Sequence, residues 1–216
     1  MLEFLVFDLD ETIYPRDSGL MQAISARISA YMVERMEMDP EIVPTLRRAY
    51  WEQYGTTSRG LQTLHGLDVE DYMQYVHDIP VHDYVRPDLA LDRALNALSQ
   101  RKVIFTNATE AHARGVLEAI GVARHFCGIY DVFYAGHESK PAPGAYRRLV
   151  QDLDTTGDRC LMVEDSARNL QPAKALGMVT VLVNPLPETE LDGIDHVVAR
   201  VSDIAEVVRL VEAGGK

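Results

Sequence analysis

The stretch Leu2-Glu3-Phe4-Leu5-Val6-Phe7-Asp8-Leu9-Asp10-Glu11-Thr12 joins a nearly wholly apolar run of strand-forming residues to two carboxylates spaced by one residue, with a hydroxyl two positions on. The run lacks polar alternation, which suits a strand covered on both faces, as in a parallel sheet flanked by helices. In such sheets ligands gather at the carboxyl ends of the strands, and Asp8 and Asp10 fall at that end. Residues i and i+2 share a side and lie about 6.5–7 Å apart. Two half-buried carboxylates that close repel each other and call for a cation, a shared proton or a basic neighbour. Taken alone, the same letters also describe a strand that ends in a solvated acidic turn.

Beyond Thr12 the chain is helical before it alternates. Pro15, Asp17, Ser18 and Gly19 mark a turn, and from Leu20 to Arg35 apolar residues recur at helical spacing. Asp39-Pro40 reads as the start of a second helix, with Pro44 blurring where it begins, and Leu46, Ala49 and Tyr50 continue its stripe. A short helix is expected after Thr56-Thr57-Ser58, and another behind the cap Asp68. Residues 18–78 therefore read as an all-helical insert. Asp88 then starts a helix, and strands are expected near 102–106, 129–134, 160–164, 178–183 and 195–199, with helices near 109–120, 143–153, 166–176 and 202–213 between and after them. This alternation implies a doubly wound parallel sheet, an α/β core of residues 1–17 and 79–216, with the insert as a lid over its carboxyl edge.

Length and charge narrow the partners. A chain of 216 residues can bury the core of one ordinary domain plus a smaller insert. A net charge of −12 argues against a nucleic acid polymer, whose phosphates are bound by surplus Lys and Arg. Cys127 and Cys160 stand in or beside apolar runs without metal spacing and read as buried structural thiols, which fits a reducing cytoplasm. No signal peptide or membrane span is recognisable, and the seven histidines show no ligand spacing.

Three later strand ends bring polar residues to the same edge. Val103-Ile104-Phe105-Thr106-Asn107 offers a hydroxyl and a backbone N–H just before a helix, a seat for phosphate. Lys140-Pro141 holds a lysine extended ahead of another helix, and Leu161-Met162-Val163-Glu164-Asp165-Ser166 repeats the apolar run ending in paired carboxylates. Singly, these are helix caps, a solvated lysine and a polar strand exit. Together they form an oxygen-lined pocket for a hard cation, Mg²⁺ foremost, with the lysine offsetting part of the negative charge.

Asp8-Leu9-Asp10-Glu11-Thr12, then Thr106-Asn107, then Lys140-Pro141, then Glu164-Asp165-Ser166 with Asn169 resembles the four-motif signature of the haloacid dehalogenase superfamily. A helical insert between the first and second motifs resembles its branch of small-molecule phosphatases. The segments Phe7 to Pro15, Tyr54-Gly55-Thr56-Thr57 and Arg86-Pro87-Asp88 look most like the pyrimidine 5′-nucleotidase group. The resemblance implies that Asp8 attacks phosphorus to form an aspartyl-phosphate and that Asp10 is the general acid and base. It implies phosphate binding by Thr106, Asn107 and Lys140. Mg²⁺ would be held by Asp8, the backbone carbonyl of Asp10 and Asp165, with Glu164 and Asn169 as direct or outer ligands.

The expected activity is thus Mg²⁺-dependent phosphomonoester hydrolysis by a cytoplasmic monomer or homodimer, with a nucleoside monophosphate, above all a pyrimidine one, as leading substrate. Tyr14, Tyr54, Thr56 and Thr57 are the residues in which an aromatic face and hydroxyls suit a base and ribose, although helix core and a capped turn explain the same letters. A sugar phosphate or phosphoglycolate phosphatase is the alternative. True dehalogenases lack the second aspartate, a phosphomutase would retain the phosphoryl group, and a phospho-accepting signalling domain would need neither the insert nor Asp10.

Overall fold

The computed structural model describes residues 1–136, 138–186 and 189–214. Strand β1 (Phe4–Phe7) is followed by four helices, α1 (Leu20–Glu34), α2 (Val43–Tyr54), α3 (Thr57–His65) and α4 (Val69–His77). Helix α5 (Leu89–Asn96) then leads into β2 (Arg101–Phe105), α6 (Glu110–Ile120), β3 (Gly128–Tyr130), α7 (Pro143–Asp152) and β4 (Cys160–Glu164). The chain closes with α8 (Ala167–Ala175), β5 (Val179–Val183), β6 (His196–Val198) and α9 (Ile204–Glu212). It divides into two compact units, Met1–Pro15 with Val85–Lys216, and Arg16–Tyr84. Among the described residues no helix is long and apolar enough to cross a membrane.

Among the described residues of the first unit six strands run parallel, in the order β3-β2-β1-β4-β5-β6. The apolar run of β1 lies inside this sheet, Phe7 standing opposite Ile104 on one side and Val163 on the other. Alternate residues face opposite sides. Phe4 and Val6 join a core with Tyr146 and Leu149 of α7 and Leu170 and Ala173 of α8. Leu5 and Phe7 are buried on the other face, where Phe7 meets the Phe126 ring edge-on at 5.6 Å. Both faces are covered, so polar residues have no place in β1 until it leaves the sheet. Each such side chain contributes about 1.5–3 kcal/mol.

Local chemistry sets the element ends. Asp88 caps α5 by accepting the N–H groups of Ala90 and Leu91, both at 2.9 Å. Strand β3, expected to reach 134, stops at Tyr130 because the Asp131 carboxylate draws the N–H groups of Phe133 and Tyr134 into a turn at 3.0 and 3.1 Å. Cys127, expected to be buried, is exposed at the entry to this edge strand, whereas Cys160 is buried in β4.

In the helical unit, Asp39 does not start a helix at Pro40. It accepts the Glu41 N–H at 2.9 Å in a turn, and α2 begins at Val43 with Pro44 in its first turn, where a missing N–H leaves no bond unmade. Tyr31 of α1 packs edge-on against Tyr72 and Tyr75 of α4 at 5.1 and 5.3 Å. The Arg47 guanidinium ties α2 to α1 through the Ser25 carbonyl and the Ser25 and Ser29 hydroxyls, each at 2.8 Å. Helices α2 and α3 approach so closely that a Cβ on Gly60 would stand 2.5 Å from the Tyr50 Cβ. Tyr50 is buried, whereas the neighbouring Trp51 is 50% exposed.

Candidate active site

Asp8 follows the last residue of β1, and its N–H bonds the Val163 carbonyl at 2.9 Å, which extends the register with β4 one step past the strand. Its carboxylate, 7% exposed, is held at both oxygens. The Lys140 ammonium donates to Oδ1 at 2.5 Å and the Thr12 hydroxyl to Oδ2 at 2.9 Å. Thr12 reaches back because the chain reverses just beyond Leu9: the N–H groups of Thr12 and Ile13 both bond the Leu9 carbonyl, and Glu11 takes a left-handed φ of 61°.

Lys140 is 1% exposed, so its reading as a solvated charge is excluded. Burial by itself lowers the pKa of the ammonium, but the charges of Asp8, Glu164 and Asp165 outweigh it and hold the group above its ordinary value. The lysine is aimed by Asn107, whose amide brackets its backbone: Oδ1 accepts from Lys140 N–H and Nδ2 donates to Lys140 O, both at 2.9 Å. Thr106, 2% exposed, accepts the Ala108 N–H on its hydroxyl at 3.0 Å and shapes the exit from β2 beside β1.

At the end of β4, Glu164 is fully buried. Its Oε1 accepts from the Asn169 amide and from Lys140 at 3.5 Å, and its Oε2 from the Asp165 N–H at 3.3 Å. Burial, then the neighbouring charge of Asp8, push its pKa well above the carboxylate range, against the pull of Lys140 and Asn169. The lysine's shorter bond explains why its ion pair serves Asp8 before Glu164. Tyr146 supports this corner from α7, donating to the Asn169 carbonyl at 2.7 Å.

Asp8, Glu164 and Asp165 each place a carboxylate oxygen so that the three lie within 4.8 Å of one another. Oxygens across a Mg²⁺ ion stand ~4.2 Å apart, and the ion takes hard carboxylate donors. Three carboxylates against one ammonium leave the pocket negative, so the donor set fits such a cation. Glu164 belongs to this cluster on the same terms as Asp8 and Asp165. The side chain of Asp10 is engaged elsewhere: its Oδ1 accepts from the Tyr14 hydroxyl at 2.7 Å and faces His112 Nε2 at 3.2 Å.

The residues assigned to a lid part company. Tyr14 lies in the sheet unit, 2% exposed and bonded to Asp10, so its ring is packed in the core and is no surface for a base. Burial, then the Asp10 charge, push its phenol pKa far up, which keeps the hydroxyl protonated. Thr56 is the cap of α3, accepting the Arg59 N–H at 3.1 Å, with Thr57 the first residue of that helix. Tyr54 ends α2, half-buried, its ring 6.4 Å from that of Tyr50. Sequence reasoning misses His112 among unremarkable histidines. Its signal is position: it lies in the first turn of α6, at the carboxyl edge of the sheet, five residues after Asn107.

A family profile described as haloacid dehalogenase-like hydrolase matches residues 3–177, a span that takes in every residue of this network. The chain belongs to the haloacid dehalogenase-like hydrolases. It is 25% identical over 194 residues to phosphate metabolism protein 8 of Saccharomyces cerevisiae, covering 82% of this chain and 60% of that protein's length. It is 27% identical over 201 residues to a phosphoglycolate phosphatase of Rhodospirillum rubrum, covering 85% of this chain and 80% of that one. Among solved structures, the hydrolase fold superposes on CbbY from Rhodobacter sphaeroides in complex with phosphate with a TM-score of 0.67, at 19% identity over 94% of this chain and 96% of that one.

Proposed function

We propose that this hydrolase is a Mg²⁺-dependent phosphomonoesterase that works through a phosphorylated Asp8 on a small metabolite of the phosphoglycolate or sugar phosphate kind. The observation that carries the reading is the buried network in which Lys140 and Thr12 hold Asp8 beside Glu164 and Asp165, while Asp10 stands apart on its own partners. Two bonded oxygens lock the rotamer of Asp8, which readies it as a nucleophile. It attacks phosphorus as the bond to the leaving oxygen breaks, and Asp10 gives that oxygen a proton. Water then attacks the aspartyl-phosphate, Asp10 takes its proton, and inorganic phosphate leaves with Asp8 restored.

Lys140 and the backbone around Thr106 and Asn107 offset the charge on the transferring group, where electrostatics supply most of the acceleration. Asp8, Asp165, Glu164 and the carbonyl of Asp10 would hold Mg²⁺, with Asn169 holding Glu164. When bound, the ion supplies charge neutralisation at the phosphoryl oxygens. Two free thiols, one of them exposed, support a reducing, cytoplasmic setting.

The substrate class departs from the nucleotide expectation for two reasons. Two of the four residues expected to read a base have other work, Tyr14 in the core and Thr56 in a helix cap. The name of the Rhodospirillum rubrum relative supports a small acid phosphate instead. The test is phosphate release from phosphoglycolate, sugar phosphates, UMP, CMP and AMP, with Mg²⁺ or EDTA and with Asp8→Asn as blank. Metal-dependent hydrolysis of the small phosphates above the nucleotides is expected. UMP and CMP well ahead would restore the nucleotidase reading, and no release from any substrate would refute the phosphatase.

A further inference from the structure

Helix α8 brings Asn169 to Glu164, yet its own sequence gives its first turn little support. The helix is nine residues long, Ser166 makes no side-chain cap bond, and Pro172 within it has no N–H to give the backbone ladder. The support comes from α7. There the Tyr146 hydroxyl donates to the Asn169 carbonyl at 2.7 Å, and the Asn169 amide in turn donates to Glu164 Oε1. Tyr146 is itself fixed: it is fully buried beside Leu149, Leu170 and Ala173, and its ring meets Phe105 edge-on at 5.2 Å. Of the carboxylates in the acidic cluster, Asp8 is already held at close range by Lys140 and Thr12. Glu164 has its other two donors at 3.3 and 3.5 Å, so Asn169 is the close one. We propose that Tyr146 is a positioning residue that, through Asn169, fixes the Glu164 carboxylate and so sets the site's preference for Mg²⁺ over Ca²⁺. Three carboxylates attract either ion. Mg²⁺, however, demands near-ideal octahedral oxygens at about 2.0–2.1 Å, whereas Ca²⁺ accepts them at about 2.3–2.6 Å in flexible arrangements. A carboxylate that cannot drift therefore favours the smaller ion.

This role rests on the Mg²⁺-dependent reading, and the experiment separates the two. The EDTA-treated protein, Tyr146→Phe, Asn169→Ala and the double variant are each titrated with Mg²⁺ and with Ca²⁺ by calorimetry, without substrate. Tyr146→Phe removes one oxygen and keeps the ring against Phe105. It should raise the Kd for Mg²⁺ roughly tenfold and leave that for Ca²⁺ within about twofold. The double variant should bind Mg²⁺ no more weakly than Asn169→Ala alone, because the path from Tyr146 is already cut. Equal weakening toward both ions, or losses that multiply in the double variant, mean that Tyr146 is merely structural, and an unchanged Kd for Mg²⁺ means that Glu164 needs no such holding. Each of these results overturns the inference and leaves the phosphatase intact. An unaltered protein that neither binds Mg²⁺ nor releases phosphate in its presence overturns both. Melting curves in EDTA report folding. Should Tyr146→Phe fail to fold, Asn169→Ala decides alone, since removing the link must weaken Mg²⁺ more than Ca²⁺, and equal or absent losses overturn the proposal.

Discussion

Replacing Lys140 by Met removes the ammonium and keeps most of the apolar stem. Asp8 and Glu164, 7% and 0% exposed, would then share a buried site without their countercharge. Breaking a buried pair in this way costs about 3–5 kcal/mol, a fall in Tm of ~6–20 °C for a chain of this size. The loss carries a pH signature. Glu164 already titrates above the carboxylate range because of burial and the charge of Asp8, and loss of Lys140 raises it further. A carboxyl whose folded pKa exceeds its unfolded one contributes its full stability below the unfolded value, about 4.3, and loses it as pH climbs through the folded value. The variant should therefore come closest to the parent in acid and fall furthest behind in mild alkali. Lys140 itself, raised above its ordinary value, keeps its contribution in the parent through neutrality and sheds it only above a pH of about 10. Unfolding both proteins in urea with EDTA, at about pH 5 and about pH 8, measures the gap. A gap of the same size at both pH values, or none, would refute the account of Lys140 as the countercharge of two buried carboxylates.

Asn107→Ala removes both hydrogen bonds that bracket the Lys140 backbone, worth about 1 kcal/mol each, and should lower kcat/KM roughly thirtyfold with a smaller change in Tm. Adding Mg²⁺ to the EDTA-treated protein should raise its stability by about 2.7 kcal/mol at a hundredfold excess over Kd, and Asp165→Asn should blunt that rise, both read from calorimetric melts. Gly60→Ala forces a methyl against Tyr50 and should destabilise the helical unit by about 1–3 kcal/mol, visible as faster proteolysis between 16 and 84.

The sequence by itself determined the fold class and the edge at which polar residues gather. Strand and helix periods, the caps Asp68 and Asp88 and the apolar runs that end at Asp8 and Glu164 are written within windows of a few residues, so each is legible without knowing what packs against it. The tertiary structure alone decided what each side chain meets. His112 is one of seven histidines until the packed fold brings its Nε2 to within 3.2 Å of Asp10 Oδ1. Tyr14 reads as a lid residue until the reversal at Glu11 folds it inward, and Cys127 as a core thiol until β3 proves to be an edge strand. The reason is range: periodicity and capping depend on neighbours in the chain, whereas burial and hydrogen-bond partners depend on segments as far apart as residues 8, 112, 140 and 164, which only the packed sheet brings together.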